Sequence, residues 1–242
     1  MRLRLAVRTT ATSLGWENVL RPGRGLIYEL LSRGAPDIGA RLHERGWGET
    51  GMTPFGHSAP TFPSARRRRG RYTVGGTGTV EIGSPLPQVI EGMAKGLAGQ
   101  SVLDWGGTAL RVEHVEVIPP PDFSSGQARL KTSTPVVMKG SGQNEYGERT
   151  TRQAWVLPTE PEFSSYFESN LRRKAHTVGT DPDVAVQAIT WVGPKRSFSV
   201  GRGYKPGAAV EAEVRGAPET LQCIWSWGLG QANTAGFGWV IE

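Results

Sequence analysis

Four histidines are the side chains in this chain that could exchange protons near neutral pH: His43, His57, His114 and His176. A positioned imidazole can act as general acid or general base, so each is a candidate for acid-base catalysis. The chain has one cysteine, Cys223, and no aspartate-rich cluster at a ligand spacing, so the sequence predicts no metal centre. It also lacks the Gly-x-Ser-x-Gly motif that would indicate a serine hydrolase. We therefore expect chemistry without a metal ion or a cofactor.

An arginine cluster is the strongest sign of an anionic partner. The chain has 28 basic and 22 acidic residues, a formal net charge of +6. Five arginines of one loop form the cluster: Arg66, Arg67, Arg68, Arg69 and Arg71. Such a cluster gains counterion release when it binds phosphates, whereas its like charges repel one another in isolation. The alternative is a solvated loop, but we favour contact with RNA.

A second candidate for phosphate contact is the glycine-rich loop, residues 228–239. Its glycines are Gly228, Gly230, Gly236 and Gly238. Because glycine has no β-carbon, successive backbone N–H groups in such a loop can face a phosphate. The lysine and hydroxyl residue of a P-loop do not follow these glycines, so nucleotide hydrolysis is not predicted. The alternative is a glycine turn leading into a final strand, residues 237–241.

Hydrophobic periodicity predicts a ferredoxin-like order of elements in the first half: strand, helix, strand, strand, helix, strand. The predicted helices cover about residues 22–33, 36–45 and 87–97, and the predicted strands begin near residues 2, 53, 71 and 110. Tyr28 lies well away from the centre of the apolar stripe of the first helix, so it is a candidate for contact with a ligand. In the first strand, Arg2, Arg4 and Arg8 alternate with apolar residues. They either lie under RNA or solvate the outer face of the sheet.

The second half repeats this order less clearly after Pro119-Pro120-Pro121, which we interpret as a linker. Strands are predicted at residues 128–138, 185–192, 210–214 and 237–241, one helix begins near residue 163, and another covers residues 218–227. Three cations end the first of these helices and suit its dipole: Arg172, Arg173 and Lys174. Together with Lys139 they are also candidate RNA contacts. We predict two domains, residues 1–119 with the acid-base residues and residues 120–242 with the glycine-rich loop.

Several short motifs, in this order, resemble those of the CRISPR-associated repeat-processing endoribonucleases, the Cas-six family of the RAMP superfamily. They are Gly25-Leu26-Ile27-Tyr28, Leu42-His43-Glu44, Ser133-Thr134-Pro135-Val136-Val137-Met138-Lys139, Asn170-Leu171-Arg172-Arg173-Lys174 and the Gly-x-Gly pairs near the C-terminus. The resemblance spans nearly the whole chain. It implies an α+β fold of two tandem ferredoxin-like (βαββαβ) domains with antiparallel sheets.

The resemblance also implies a metal-independent endoribonuclease that cuts CRISPR precursor RNA within its repeats. RNA carries its own nucleophile, the 2′-hydroxyl, so cleavage needs only acid-base groups and cations, and it leaves a 5′-hydroxyl and a 2′,3′-cyclic phosphate. His43 carries the motif of the family's general acid or base, and we expect Tyr28 to orient the substrate. Some members carry a lysine just beyond the histidine, but residues 49–55 contain no cation here. Arg45 is the nearest substitute, and the alternative is an arginine outside the motif.

The alternative is a noncatalytic RAMP-type scaffold that only binds guide RNA. In both cases the expected partners are CRISPR repeat RNA and subunits of a CRISPR effector complex, and the chain is expected to be a monomer or a homodimer. Its N-terminus alternates polar and apolar residues, and no apolar run approaches the length of a membrane span. We therefore expect a soluble, cytoplasmic protein.

Overall fold

The computed structural model describes residues 1–63, 65–68, 70–143, 149–200 and 203–241. The elements of its first half are β1 (Arg2–Thr9), β2 (Ser13–Gly15), α1 (Arg21–Gly34), α2 (Pro36–Glu44), β3 (Gly56–His57), β4 (Arg67–Arg68), β5 (Arg71–Thr73), β6 (Gly76–Gly83), α3 (Pro87–Leu97), β7 (Val102–Asp104) and β8 (Ala109–Ile118). The elements of the second half are β9 (Gln127–Thr132), β10 (Met138–Gln143), β11 (Arg149–Val156), α4 (Phe163–Val178), β12 (Ala185–Val192), β13 (Arg196–Val200), β14 (Gly203–Gly207), β15 (Val210–Arg215), α5 (Pro218–Trp227) and β16 (Val240–Ile241).

The first half forms a five-stranded antiparallel sheet in the order β3-β6-β1-β8-β7. Four of these strands and two helices follow one another as β1-α1-β3-β6-α3-β8, which is the ferredoxin-like order. Leu3, Leu5 and Val7 point from β1 into a core shared with the buried residues of α1 and α3. Helix α2 is an addition between α1 and β3, and the small sheet β2-β5-β4 carries the predicted arginine loop.

The second half repeats this plan as β9-α4-β12-β15-α5-β16, with the sheet order β12-β15-β9-β16. Two antiparallel hairpins are inserted into it, β10-β11 before α4 and β13-β14 before β15. Its core includes Phe163, Phe167 and Trp225, and Ile118 at the end of β8 also packs there. The predicted fold of two ferredoxin-like units with antiparallel sheets is therefore confirmed. The division between residues 119 and 120 stays a prediction.

Arg2 joins the two halves from inside the protein. Its guanidinium carbon lies 4.0 Å from the ring centroids of both Trp225 and Trp239, and its Nη1 donates to the carbonyl oxygen of Val240 at 2.7 Å. Glu81 of β6 lies 3.7 Å from the same Nη1 and accepts a hydrogen bond from Trp239 Nε1. A buried guanidinium held between two aromatic faces restricts how the halves can move relative to each other.

None of the helices in the described part of the chain is long and apolar enough to cross a membrane. The longest, α4, has polar or charged residues at many of its positions.

Candidate active site and RNA-binding surface

Tyr28 and His43 lie next to each other although they belong to different helices. Their ring centroids are 5.1 Å apart and the rings meet edge to face, with an angle of 60° between their planes. The Tyr28 Oη lies 3.5 Å from the carbonyl oxygen of Leu42, the residue before His43. The structure thus brings together the two residues predicted for the reacting centre.

Packing of α1 and α2 fixes this pair at the surface. Helix α1 buries Leu26, Ile27, Leu30 and Leu31, which leaves Tyr28 half-buried at the edge of the apolar stripe. The Tyr28 ring also packs edge to face on Phe55, which is fully buried, with the centroids 5.4 Å apart. In α2, Leu42 enters the core and the neighbouring His43 is exposed. The imidazole is therefore accessible to a ligand, while its aromatic neighbour is held by the core.

Arg24 is the cation that contacts Tyr28, and sequence reasoning did not select it. The exposed Arg24 is one helical turn before Tyr28, and its guanidinium carbon lies 5.6 Å from the Tyr28 ring centroid. The predicted Arg45 is exposed just after α2 and lines a groove with Asp37, Arg41 and Glu44, which does not include His43. The four-residue spacing of Arg24 and Tyr28 on one helix was the available signal.

The other histidines lie elsewhere. His57 is fully buried between Gly23 of α1 and Gly236 of the glycine-rich loop. Its Nδ1 lies 2.9 Å from the carbonyl oxygen of Ser58. Burial lowers the pKa of His57 to about 4, and backbone groups of Ser58 and Thr234 oppose this shift. His57 is therefore neutral at physiological pH and has no access to solvent. His114 on β8 and His176 on α4 are exposed.

The glycine-rich loop is buried, and its N–H groups are used inside the protein. Gly228 donates to Ile224, Gly236 donates to Asn233 and Gly238 donates to the carbonyl oxygen of Pro135 at 2.8 Å. The prediction that these three N–H groups face a phosphate is therefore wrong.

Its glycines are required by conformation and by close packing instead. All four have positive φ, and a β-carbon on Gly238 would overlap the carbonyl oxygen of Leu229. At Gly236 the β-carbon would come 2.6 Å from His57 Cε1, and at Gly230 it would come 2.6 Å from Val136 Cγ1. We find the loop folded onto the core and not open to a ligand.

Lys174 belongs to this buried loop and not to an RNA-binding surface. Its side chain is fully buried, and its Nζ donates to the Gly228 carbonyl oxygen and to Asn233 Oδ1. Burial lowers the pKa of Lys174 to about 7. The prediction of an RNA contact for Lys174 is wrong, because the α4 turn that carries it faces the loop.

The exposed predicted cations are distributed over several elements. Arg172 bonds Glu168 and the Val184 carbonyl oxygen, and Arg173 Nη2 donates to the Thr50 carbonyl oxygen at 2.8 Å.

Lys139 lies on hairpin β10-β11, with its Nζ 5.5 Å from the ring centroid of Trp155. The Nζ of Lys205, from hairpin β13-β14, lies 4.9 Å from the same centroid. Burial lowers the pKa of Lys205, and the positive charge of Lys139 lowers it further. RNA contact by Lys139, Arg172 and Arg173 stays a prediction.

The arginine loop lies on the hairpin β4-β5. Arg66 and Arg71 are exposed, and Arg71 Nε donates to Ser13 Oγ at 2.9 Å. Arg69 and the side chains of Arg67 and Arg68 lie outside the described part of the chain.

The three arginines of β1 are bonded or packed within the protein. Arg2 is buried, Arg4 bonds Glu81 and Glu116, and Arg8 bonds Glu113. For β1 the structure favours the interpretation without RNA.

A family model for "CRISPR associated protein Cas6, C-terminal" matches residues 118–241, which is more than half of the chain. The chain belongs to the Cas6 family. It is thus a RAMP protein of a family that binds and processes CRISPR RNA, as its motifs predicted.

Solved structures of Cas6 and RAMP proteins have the same fold over the full length of the chain. One, described as "An RAMP protein binding different RNA substrates", has a TM-score of 0.81 and 16% identity, and all of both chains is covered. A second, "CRISPR associated protein Cas6", has a TM-score of 0.75, 21% identity and coverage of 100% and 98%. A Cas6-related protein from Pyrococcus furiosus has a TM-score of 0.78, 14% identity and coverage of 100% and 97%. Comparison with curated proteins gives no match.

Within this Cas6-family chain, the described residues contain no group of three or more His, Cys, Asp or Glu side chains placed to hold a metal ion. Of the three exposed histidines, His43 is the one whose ring contacts a tyrosine, Tyr28, and Arg24 lies beside that tyrosine.

Proposed function

We propose that this Cas6-family chain is an endoribonuclease that cleaves CRISPR precursor RNA within its repeats without a metal ion. The observation that carries the proposal is the contact between Tyr28 and the exposed His43, whose ring centroids are 5.1 Å apart at the surface. An accessible imidazole beside a phenol supplies the acid-base group and the hydrogen-bonding group that RNA cleavage by its own 2′-hydroxyl requires.

In the proposed reaction the 2′-oxygen forms a bond to the adjacent phosphorus and the bond from phosphorus to the 5′-oxygen breaks. The 2′-hydroxyl gives up a proton and the departing 5′-oxygen takes one, so the products are a 2′,3′-cyclic phosphate and a 5′-hydroxyl. His43 acts as general base in the first proton transfer or as general acid in the second. Tyr28 orients the ribose or the phosphate through its hydroxyl.

The extra negative charge on the phosphate in the transition state needs a cation. We propose Arg24 for this role, because its guanidinium lies over the Tyr28 ring and its side chain is exposed. Arg45 fits the role less well, since it lines a groove to which His43 does not contribute.

Repeat RNA is the proposed ligand. Two of the similar solved structures are described as Cas6 product complexes, with TM-scores of 0.64 and 0.58 and identities of 18% and 15%. The exposed Arg66 and Arg71 and the lysines around Trp155 supply positive charge at the surface of the present chain. Subunits of a CRISPR effector complex stay predicted partners.

The test is to incubate the purified protein with repeat RNA in excess EDTA and to analyse the ends of the products. We expect a single cut per repeat, a 5′-hydroxyl and a cyclic phosphate, and no cut when the 2′-oxygen before that position is methylated. Binding without cleavage, with or without Mg²⁺, would contradict the nuclease and leave the alternative of a noncatalytic RAMP-type scaffold. Cleavage that EDTA abolishes would contradict the metal-independent mechanism.

A further inference from the structure

A cavity of about 330 Å³ lies where the two halves of the chain meet, apart from Tyr28 and His43. The first half contributes Trp16 and Tyr72, and the second half contributes Ser133, Thr134, Arg196 and Phe198. The cavity is at the lower end of the size range of small-molecule sites, so it has room for one planar heterocycle and not for a nucleic-acid helix.

Its walls are aromatic and held in place. Trp16 and Phe198 stack across the junction of the halves, with ring centroids 4.6 Å apart and 25° between their planes. Phe198 is buried and meets Phe237 of the glycine-rich loop edge to face, at 6.0 Å. Because the buried loop fixes Phe237, it supports this wall. The glycine-rich loop therefore contacts the cavity wall through Phe237, and this contact does not require its glycines to bind phosphate.

The exposed Arg196 gives the cavity a guanidinium that can donate to acceptors on the edge of a nucleobase. The hydroxyls of Ser133 and Thr134, which also line the cavity, are bonded to the backbone of Trp239: Ser133 Oγ donates to its carbonyl oxygen at 3.4 Å, and Thr134 Oγ1 accepts from its N–H at 2.8 Å. The hydroxyl of Tyr72 is the other polar group at the cavity, and the backbone of Phe62 is already one of its hydrogen-bond partners. Unstacked bases of single-stranded RNA are held by such aromatic faces together with hydrogen bonds to their edges.

The hairpin that carries Tyr72 also carries the arginine loop. Arg71 directly precedes Tyr72 in β5, and the backbone N–H of Arg66 donates to Thr73 Oγ1 at 2.6 Å. The exposed side chains of Arg66 and Arg71 therefore lie on the same short hairpin as one wall of the cavity.

We propose that this cavity binds one unpaired base of the substrate RNA, stacked against the aromatic wall formed by Trp16, Tyr72 and Phe198. This inference rests on the proposed function only in taking RNA as the ligand. The site is separate from the reacting centre, since Leu20 at the cavity precedes Tyr28 by eight residues, which is about 12 Å along the axis of α1.

The test is a binding assay with a set of repeat RNAs, each with one abasic nucleotide and with a 2′-deoxy nucleotide before the cut so that cleavage does not interfere. For the wild type we expect one abasic position to weaken binding by about fivefold to 150-fold, the effect of losing one base-aromatic stack. In Trp16→Leu that position should lose its effect, whereas Trp16→Phe should keep it. The exposed Trp191 lies on β12, outside the cavity, so Trp191→Leu is the matched control and should behave as the wild type.

Equal effects of every abasic nucleotide in wild type and Trp16→Leu would overturn the proposal. A thermal melt accompanies each variant, and crosslinking of the wild type covers the case in which Trp16→Leu does not fold. A 4-thiouridine at the sensitive position should crosslink to a peptide containing Trp16 or Phe198, and crosslinks to α2 alone would contradict the proposal. A Trp16-dependent shift of the melt by adenosine monophosphate, without a sensitive RNA position, would assign the cavity to a free nucleotide and also overturn it.

The two proposals fail in different ways. A chain that cuts RNA but has no Trp16-dependent position retains the nuclease and loses the base site. A chain that binds with such a position but does not cut retains the base site and loses the nuclease.

Discussion

The Nζ of Lys174 donates to Asn233 Oδ1 at 2.7 Å in the interior of the protein, so a residue of α4 is bonded directly to the glycine-rich loop. The amide nitrogen of Asn233 donates in turn to the carbonyl oxygens of Leu229 and Phe237, at 3.0 and 2.9 Å. One side chain therefore holds both arms of the loop and connects them to a helix. The loop is a structural support for the junction between the halves.

We expect Asn233→Ala to reduce the free energy of unfolding by about 3 kcal/mol, because three buried hydrogen bonds are lost. The melting temperature should fall by about 6 to 12 °C for a chain of this size. The matched control is Asn18→Ala, since the Asn18 amide makes one long, exposed bond of 3.5 Å to the Gly106 carbonyl oxygen. Melting of the Asn233 variant within a degree of the control would contradict the supporting role.

His57 makes the fold sensitive to acid. Its pKa is about 4 in the folded protein and 6.5 in the unfolded chain, so the unfolded chain binds the proton more readily. Stability from the neutral imidazole is therefore fully present above pH 6.5 and is lost as the pH falls towards 4. At about 1.4 kcal/mol per pH unit, the loss is about 3 kcal/mol.

Denaturant unfolding between pH 7 and pH 4 measures this effect. His57→Asn should have a flatter pH dependence than the wild type, whereas His114→Gln, at an exposed position, should follow the wild type. If the His57 and wild-type curves are parallel, another group causes the loss of stability in acid.

Local patterns were sufficient to predict several elements. The helices Pro87–Leu97 and Pro218–Trp227 have the predicted limits, because each begins with a proline and carries a continuous apolar side. The strand predicted to begin at residue 71 is divided into β5 and β6, since Gly75 and Gly76 both adopt positive φ. The last strand is only Val240–Ile241, because residues 233–238 belong to the buried loop.

The site was predictable in part. Motif order selected Tyr28 and His43, but their contact depends on the turn at Ala35 that folds α2 onto α1. Lys174 was misassigned because its burial depends on a loop 54 residues further along the chain, which local charge patterns do not reveal. The aromatic cavity was not predictable either, because its lining combines residues that are far apart in the sequence. Locally, the sequence shows only isolated aromatic residues at these positions.

Replacing each of the two candidate cations, Arg24 and Arg45, by alanine tests which one stabilises the scissile phosphate. Arg24→Ala should slow cleavage about tenfold to a hundredfold, less than the loss of a buried oxyanion donor because Arg24 is exposed. Arg45→Ala should change the rate by less than about threefold. The measurement is single-turnover cleavage at saturating protein, so that altered affinity does not enter the rate. A slow Arg45→Ala beside a normal Arg24→Ala would reverse the assignment.

The arginine loop is tested by the salt dependence of RNA binding. Replacement of Arg66 and Arg71 by alanine should lower the slope of log affinity against log salt by about 1.4, about 0.7 for each lost contact with single-stranded RNA. The control removes the same charge from Arg33 and Arg111, which are paired with Glu29 and Glu113. An equal slope in the wild type and the Arg66/Arg71 variant would show that the described arginines of this hairpin do not bind phosphate.

The central claim is that His43 transfers a proton during RNA cleavage, and the single-turnover rate of His43→Ala in EDTA tests it most directly. We expect the rate to fall by about a hundredfold to ten-thousandfold, with the affinity for noncleavable RNA within about twofold of the wild type, and Tyr28→Phe to lose less. Retained affinity separates a catalytic loss from a binding loss. Cleavage by His43→Ala at the wild-type rate would contradict the account.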